Sequence, residues 1–321
     1  MPLPRLVLGM VSVGTVVLGT GVASAQDYPG KPIRVISPGP GGGADFVARF
    51  VAQGISAPLG QQVVVENRPA GVIPGQIVSK AQPDGYTLMV NGNSFWIAPL
   101  MQDNIPYDPV KDFSPITLAV SSPNILVVHT SVPAQSVKGL IALAKARPGV
   151  LNYASASAGG SVHLSAELFK YMAGVNIMRI SYKTTGTSVN ALLGGEVDLM
   201  FANAPPVMPH VKSGRLRALA VTTSQPSVLL PGVPTVAGSG LPGFEVASVY
   251  ALFSPARTPV AIVNRLNQEI VRFLARADVK EKFLAAGVEP IGSSPEGLVA
   301  AMKSEMARMG RVIEEAGIRG E

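Results

Sequence analysis

Hydrophobic and polar positions in this chain keep changing period, and each change falls at a run of small polar residues. Ile33-Arg34-Val35-Ile36-Ser37 is short and rich in β-branched residues, which predicts a strand. Residues 38–43 break it with Gly and Pro, and Phe46, Val47, Phe50, Val51 and Ile55 then recur at helical spacing. Gly60 after Leu59 is suited to close that helix. Residues 63–66 predict a second strand, 67–71 a turn, 76–80 a short helix, and 86–90 a buried strand that runs into the polar loop Asn91-Gly92-Asn93-Ser94-Phe95-Trp96.

The same grammar recurs further on. Strands are predicted at 125–128, 151–154, 176–182 and 197–201, and helices at 136–146 and through Leu164, Leu168 and Tyr171, with polar loops at 155–161 and 183–188. The stretch 217–254 is strand-like and rich in Pro and Gly, as a connection between lobes would be. Val260, Val263, Leu266, Ile270 and Leu274 mark an amphipathic helix, residues 279–286 a shorter one, and Ser294-Pro295-Glu296 a capped start of the last. These final helices are expected to return to the first lobe. Strands alternating with helices predict an α/β fold with parallel or mixed sheets, whose ligands sit beyond the carboxyl ends of the strands, where the polar loops fall. The expected organisation is a first lobe at 26–124 and 250–321, a second at 125–249, and a cleft between them.

The glycine-rich turn at 38–43 bears on chemistry. Its side chains are nearly absent, so a ligand can reach the backbone N–H groups, and the helix that follows adds unpaired donors and partial positive charge. Anion capture is the functional reading, and a tight structural turn is the plain one. Gly39-x-Gly41-x-x-Ala44 with Glu66 about 20 residues on also fits a dinucleotide fingerprint. Against that stand Pro38 and Pro40, which remove two donors from the turn. No Gly-Lys-Ser/Thr follows, which excludes a P-loop. Ser155 to Ser161 leads into a helix in the same way, as a second anion-ready turn.

Composition narrows the alternatives. Arg5 precedes an apolar run at 6–18, and Ala23-Ser24-Ala25 supplies a small-residue site before Gln26, a pattern that predicts a signal peptide at 1–25 cleaved after Ala25 and export. The run is broken by Gly9, Ser12, Gly14 and Thr15 and is shorter than the roughly 20 apolar residues a spanning helix needs. About 295 residues remain, enough for two lobes. The 26 Lys and Arg outnumber the 20 Asp and Glu, for a formal net charge of +6, but they are scattered and accompanied by a single Trp. Nucleic-acid binding is therefore not indicated, while long-range attraction of anionic solutes is. The absence of cysteine removes disulfides, thiol catalysis and thiolate metal sites. Neither a Gly-x-Ser-x-Gly elbow nor a metal spacing among His129, His163 and His210 is present. An exported hydrolase and a dinucleotide-binding protein stand as the alternatives to a binding protein.

Several blocks carry a family likeness. Tyr28-Pro29-x-Lys31-Pro32-Ile33-Arg34, Pro40-Gly41-Gly42-x-x-Asp45, Val64-Val65-Glu66-Asn67-Arg68-Pro69, Pro83-Asp84-Gly85-Tyr86-Thr87-Leu88 and Tyr107-Asp108-Pro109-Val110-Lys111-Asp112-Phe113 are among them. So are Leu151-Asn152-Tyr153-Ala154-Ser155, His163-Leu164, and Pro209-His210-Val211-Lys212 with Leu216-Arg217-Ala218-Leu219-Ala220. Across its mature length the chain resembles the Bug family of periplasmic receptors for tripartite tricarboxylate transporters. That resemblance implies a two-lobed type II periplasmic-binding fold closing over a small organic acid, a membrane permease as partner, a monomer, no cofactor and no metal. It places ligand contacts on Pro40, Gly41, Gly42, Gly43, Ala44 and Asp45, on Asn91, Asn93, Ser94 and Phe95, on Ser155, Ser157, Gly159, Gly160, Ser161 and His163, and on Lys183, Thr184, Thr187 and Asn203. Ala202 stands where many members carry Asp, which points to a ligand without an amine.

Individual side chains have second readings. Asp45 near a helix start suits the helix dipole, or shapes the loop. Phe95 and Trp96 serve either the core or a stacking wall, and Lys183 either meets a ligand or is solvated. His163 and Glu167 lie four apart, but two ligands are too few for a metal, and a structural role for His163 is the simpler reading.

Overall fold

The computed structural model describes residues 28–69, 71–155, 159–182, 184–315 and 317–318. The segment read as a signal peptide lies outside the described residues, as do Ser157 and Lys183. Strand β1 (Ile33–Pro38) is buried except at Arg34 and its last residue, the pattern of a strand covered on both faces. Helix α1 (Gly43–Leu59) turns Val47, Ala48, Val51, Ala52, Ile55 and Leu59 inward at three- and four-residue intervals and stops at Gly60, whose φ of 69° is left-handed. Next come β2 (Val63–Arg68), α2 (Ile73–Ser79), β3 (Thr87–Gly92) and the single turn α3 (Ser94–Ile97). A long strand, β4 (Phe113–His129), leads through α4 (Val137–Ala146), β5 (Asn152–Ser155), α5 (Ser161–Ala173), β6 (Met178–Ser181), α6 (Thr185–Gly194), β7 (Leu199–Asn203), α7 (Ala204–Lys212) and β8 (Leu216–Val221). The chain then returns through β9 (Ala247–Pro255), α8 (Val260–Ala275), α9 (Ala277–Ala285), β10 (Glu289–Pro290) and α10 (Pro295–Glu315).

The strands run in the order β2-β1-β3-β9-β4-β7-β5-β6, with β8 and β10 also paired to β4. β1 is parallel to β2 and β3, and β5 to β6 and β7. β9 is antiparallel to both β3 and β4, so the sheets are mixed. β4 joins the halves: Phe113–Pro123 pairs with β9, and from Asn124 onward the strand pairs with β7 and β8 instead. One strand thus belongs to two sheets, and its change of partner marks the passage between lobes.

Three apolar clusters hold this arrangement. One lies under α1, α8 and α9, where Val47, Val51 and Ile55 meet Leu266, Ile270 and Phe283. Another lies under α6 and α7 of the second lobe, around Val189, Leu192, Met200 and Val207. The third runs through both lobes, from Met89, Trp96 and Phe253 to Leu126, Tyr153, Phe169 and Phe201, and takes in Leu298, Met302 and Met309 of α10. The C-terminal helices therefore pack where their amphipathic periodicity required, with α8 and α9 on the first lobe and α10 along the shared core.

Some local expectations need correction. Residues 91–96 form no simple loop: Asn91 and Gly92 extend β3, and Ser94–Ile97 is a helical turn. Thr185 to Ser188 are the first turn of α6. Asn67 and Arg68 belong to β2, held by pairing with Ser37 and Pro38. The first half of β4 carries Pro115 and Pro123 and has no clean alternation, and its strand form comes from pairing with β9. β9 falls at the end of the stretch 217–254, whose strand-like pattern gives no hint of which strands it joins.

Candidate functional site

The loop after β1 is built for approach by a ligand. Gly41 has a φ of 78°, which favours glycine, and Gly42 is the extended N-cap of α1. The Gly41 N–H donates to Asp45 Oδ2 at 2.9 Å, and the other carboxylate oxygen accepts from Asn67 Nδ2 at 2.8 Å and from Arg49 Nε at 2.9 Å. Burial alone pushes the Asp45 carboxyl up, but the donors from Gly41, Asn67 and Arg49 outweigh it and hold it below the usual Asp range. Asp45 thus braces the loop from behind, with 5% of its surface exposed.

The second lobe repeats the device. Gly159 has a φ of 72°, Gly160 is the extended N-cap of α5, and the Gly159 N–H donates to His163 Nδ1 at 3.0 Å. His163 is buried. A third helix start, α6, closes with a capping box: the Thr187 N–H donates to Thr184 Oγ1 at 3.2 Å and the Thr184 N–H to Thr187 Oγ1 at 3.2 Å.

All three starts open on one cavity of about 480 Å³. Of the residues named from the sequence, Pro40, Gly42, Gly43, Ala44, Asn91, Asn93, Ser94, Gly160, Ser161, Thr184 and Asn203 line it. Gly41 lines an adjoining hollow. Asp45, Gly159 and His163 stand behind the wall as braces, and Thr187 caps α6. Phe95 lies in the core rather than on the wall, stacked on Tyr107 at 5.0 Å and edge-on to Phe113 at 4.8 Å. Ser155 is fully buried and its Oγ accepts from Arg179 Nε at 2.8 Å. The resemblance places both on the wall, but the turn of α3 and strand β5 point them inward.

The structure adds residues the sequence did not suggest. Ser248, Val249 and Tyr250 of β9 line the cavity, with Val162, Thr185 and Met200. The Tyr250 ring packs over Gly43, where any Cβ would sit 2.1 Å from its hydroxyl oxygen. Beneath the floor, Asn203 Nδ2 donates to Ser248 Oγ at 2.6 Å and to Asn124 Oδ1 at 3.1 Å, and Ser161 and Ser248 share a hydroxyl hydrogen bond of 2.5 Å. Asn124 is the first residue of β4 beyond its change of sheet, so the site and the lobe passage share one buried network. Asn93 Nδ2 donates to Glu305 Oε1 of α10 at 2.7 Å, and Trp96 Nε1 to Glu305 Oε2 at 2.9 Å. Burial pushes the Glu305 carboxyl up, opposed by these donors.

The cavity wall is neutral. Among the described residues that line it there is no Lys, Arg, His, Asp or Glu. Positive potential comes instead from the first turns of α1, α5 and α6, whose leading N–H groups have no partner inside the helix. Such a wall can hold an anion by oriented dipoles and hydroxyls, and it offers neither a nucleophile–base pair nor a metal-binding group. No helix among the described residues is long and apolar enough to cross a membrane.

Comparison with known proteins agrees with this architecture. Protein BugT of Bordetella pertussis is 36% identical over 96% of this chain and 97% of its own length. The structure of R. palustris Rpa4515 with adipate superposes with a TM-score of 0.82 at 35% identity, covering 91% of this chain and 99% of that one. MatC (Rpa3494) from Rhodopseudomonas palustris with bound malate gives 0.78 at 28% identity, covering 89% and 100%. Residues 47–318 match the family described as the tripartite tricarboxylate transporter family receptor, and the chain belongs to that family.

Proposed function

We propose that this protein is a periplasmic receptor that captures a small organic carboxylate between its lobes and presents it to the membrane permease of a tripartite transporter. The observation that carries the reading is the convergence of three helix N-termini, one from the first lobe and two from the second, on a cavity whose wall bears no charged side chain among the described residues. A carboxylate there meets backbone donors from both halves. Similar chains hold adipate and malate, and the same chemistry is proposed here. Export by a signal peptide at 1–25 cleaved after Ala25, and work as a monomer without catalysis, complete the proposal. So do lobe limits at 26–124 with 250–321 and at 125–249, supported by the change of partners of β4 at Asn124.

The mechanism follows from the shared wall. A solute that touches both lobes gains contacts in the closed form that the open form lacks, and so shifts the population toward closure. Isothermal titration of the purified mature protein with a carboxylate panel tests the binding. A specific ligand also raises the melting temperature, because it stabilises the native state by RT ln(1 + [L]/Kd). Failure of every carboxylate, together with a shift by NAD, would return the glycine turn to the dinucleotide reading. Small-angle scattering that shows no compaction with a saturating ligand would remove closure.

A further inference from the structure

Beside the polar cavity lies a second hollow of about 550 Å³, and the two share Gly42, Gly43, Thr185, Asn203 and Tyr250 on their walls. The remainder of its lining is different in kind. Phe46, one turn into α1, is 38% exposed there, its ring held edge-on to Phe283 at 5.8 Å. Opposite it stand Pro205 and Pro206 in the first turn of α7, and Ala286 and Val288 after α9. The two prolines carry no backbone N–H, so this helix start withholds donors that α1, α5 and α6 offer. The α9 turn closes against it: a Cβ on Gly287 would meet Pro205 Cδ at 2.9 Å. Among the described residues, no charged side chain lines the second hollow.

Tyr250 stands at the junction. It borders both spaces, and its hydroxyl has no hydrogen-bond partner among the described residues. A solute lying across the two hollows would pass that hydroxyl with its charged end among the helix starts and its other end among carbon. A second carboxylate at the far end would lose hydration against Phe46, Pro206 and Val288, where the side-chain hydroxyl of Ser122 already donates to the Gly287 carbonyl.

Resting on the receptor reading above, we propose that the solute is an amphipathic monocarboxylate. It carries an apolar body the size of an aromatic ring or a chain of several methylenes, which lodges between Phe46, Pro206, Ala286 and Val288, while Tyr250 at the junction donates to the carboxylate end.

Titration calorimetry with four probes tests this: propionate, malate, adipate and 3-phenylpropionate. The expected result is that 3-phenylpropionate binds at least tenfold more tightly than propionate and more tightly than adipate. In Pro206→Glu and Phe46→Ser, the ratio of Kd between propionate and 3-phenylpropionate is expected to fall below threefold. Soaking with 3-(4-bromophenyl)propionate should place the bromine, by its anomalous signal, beside Phe46 and Pro206, which decides the matter even where a variant fails to fold. If propionate, malate or adipate binds and 3-phenylpropionate binds no better, the second hollow is not a subsite and the receptor reading survives. If none of the four binds, both fall. An unchanged ratio in correctly folded variants, or bromine elsewhere, also overturns the proposal.

Discussion

The glycine turns of the two lobes are the same device with different anchors. In each, a left-handed glycine (Gly41 or Gly159) precedes an extended glycine at the N-cap, and the left-handed residue donates its N–H to a side chain four positions on. In the first lobe that side chain is Asp45, an ionised carboxylate that also accepts from Asn67 and Arg49. In the second it is His163, whose Nδ1 must carry a lone pair to accept the bond, so the imidazole cannot be doubly protonated while the turn holds. The difference teaches that the backbone path is the conserved demand within this molecule. Any well-placed acceptor at the fourth position can meet it, and the charge of that acceptor is then balanced locally, here by Arg49.

Breaking the wall of either turn should have the largest effect. Gly42→Asp places a carboxylate where the anion is proposed to sit, while its Cβ meets nothing nearer than 3.8 Å. The expected outcome by calorimetry is a loss of affinity of about 100-fold or more, through like-charge repulsion in a site of low dielectric, with an unchanged circular dichroism spectrum. Gly160→Asp should match it. A loss confined to one lobe would show that the ligand sits on that lobe alone.

Removing an anchor should come next. Asp45→Ala leaves the Gly41 N–H without its acceptor, takes one of two acceptors from Asn67 Nδ2 and the ion-pair partner from Arg49, and is expected to cost about 2–3 kcal/mol in urea unfolding and roughly tenfold in affinity. The carboxyl is held below its ordinary value of 3.8. Its stabilisation is therefore complete above that pH and is lost as pH falls through the folded value. His163→Ala removes the acceptor of the Gly159 N–H and should cost about 1 kcal/mol, with His163→Asn restoring most of it through Oδ1. Equal costs for the two anchors would contradict the contrast drawn here.

The smallest effect belongs to Glu305, which supports Asn93 from α10. Its carboxyl is pushed above the ordinary 4.5, so the sign is opposite to that of Asp45. Glu305 contributes stability below pH 4.5, and the native state loses that contribution as pH rises through the folded value. Glu305→Gln should flatten this part of the stability profile above pH 4.5 and weaken carboxylate binding about threefold, read by urea titration and calorimetry. A profile unchanged by the substitution would detach Glu305 from the site.

Much of the site was legible because helix starts announce themselves. Gly and Pro after a β-branched run mark where a strand ends and unpaired N–H groups begin, and on that ground Gly42, Gly43, Gly160, Ser161 and Thr184 were all identified. Asn91 and Asn93 stand in the polar run that follows the strand at 86–90, and Asn203 comes from the family resemblance alone. Phe95 and Ser155, which the resemblance puts on the wall, face inward instead, because the facing of a side chain depends on the strand or turn that carries it. Ser248 and Tyr250 gave no signal at all. They lie on a strand from a stretch rich in Pro and Gly, and they meet Gly43 only because β9 inserts between β3 and β4.

By itself the chain determined its local elements, its neutral and donor-rich turns, and the helices that must bury one face, since these depend on spacing and on the special backbone freedom of Gly and Pro. The tertiary structure alone decided that β4 would belong to two sheets, that Asp45 and His163 would act as matching braces, and that Tyr250 would stand between a polar and an apolar hollow. Those features join residues as far apart as Gly43 and Tyr250, and only packing across the whole chain brings such pairs together.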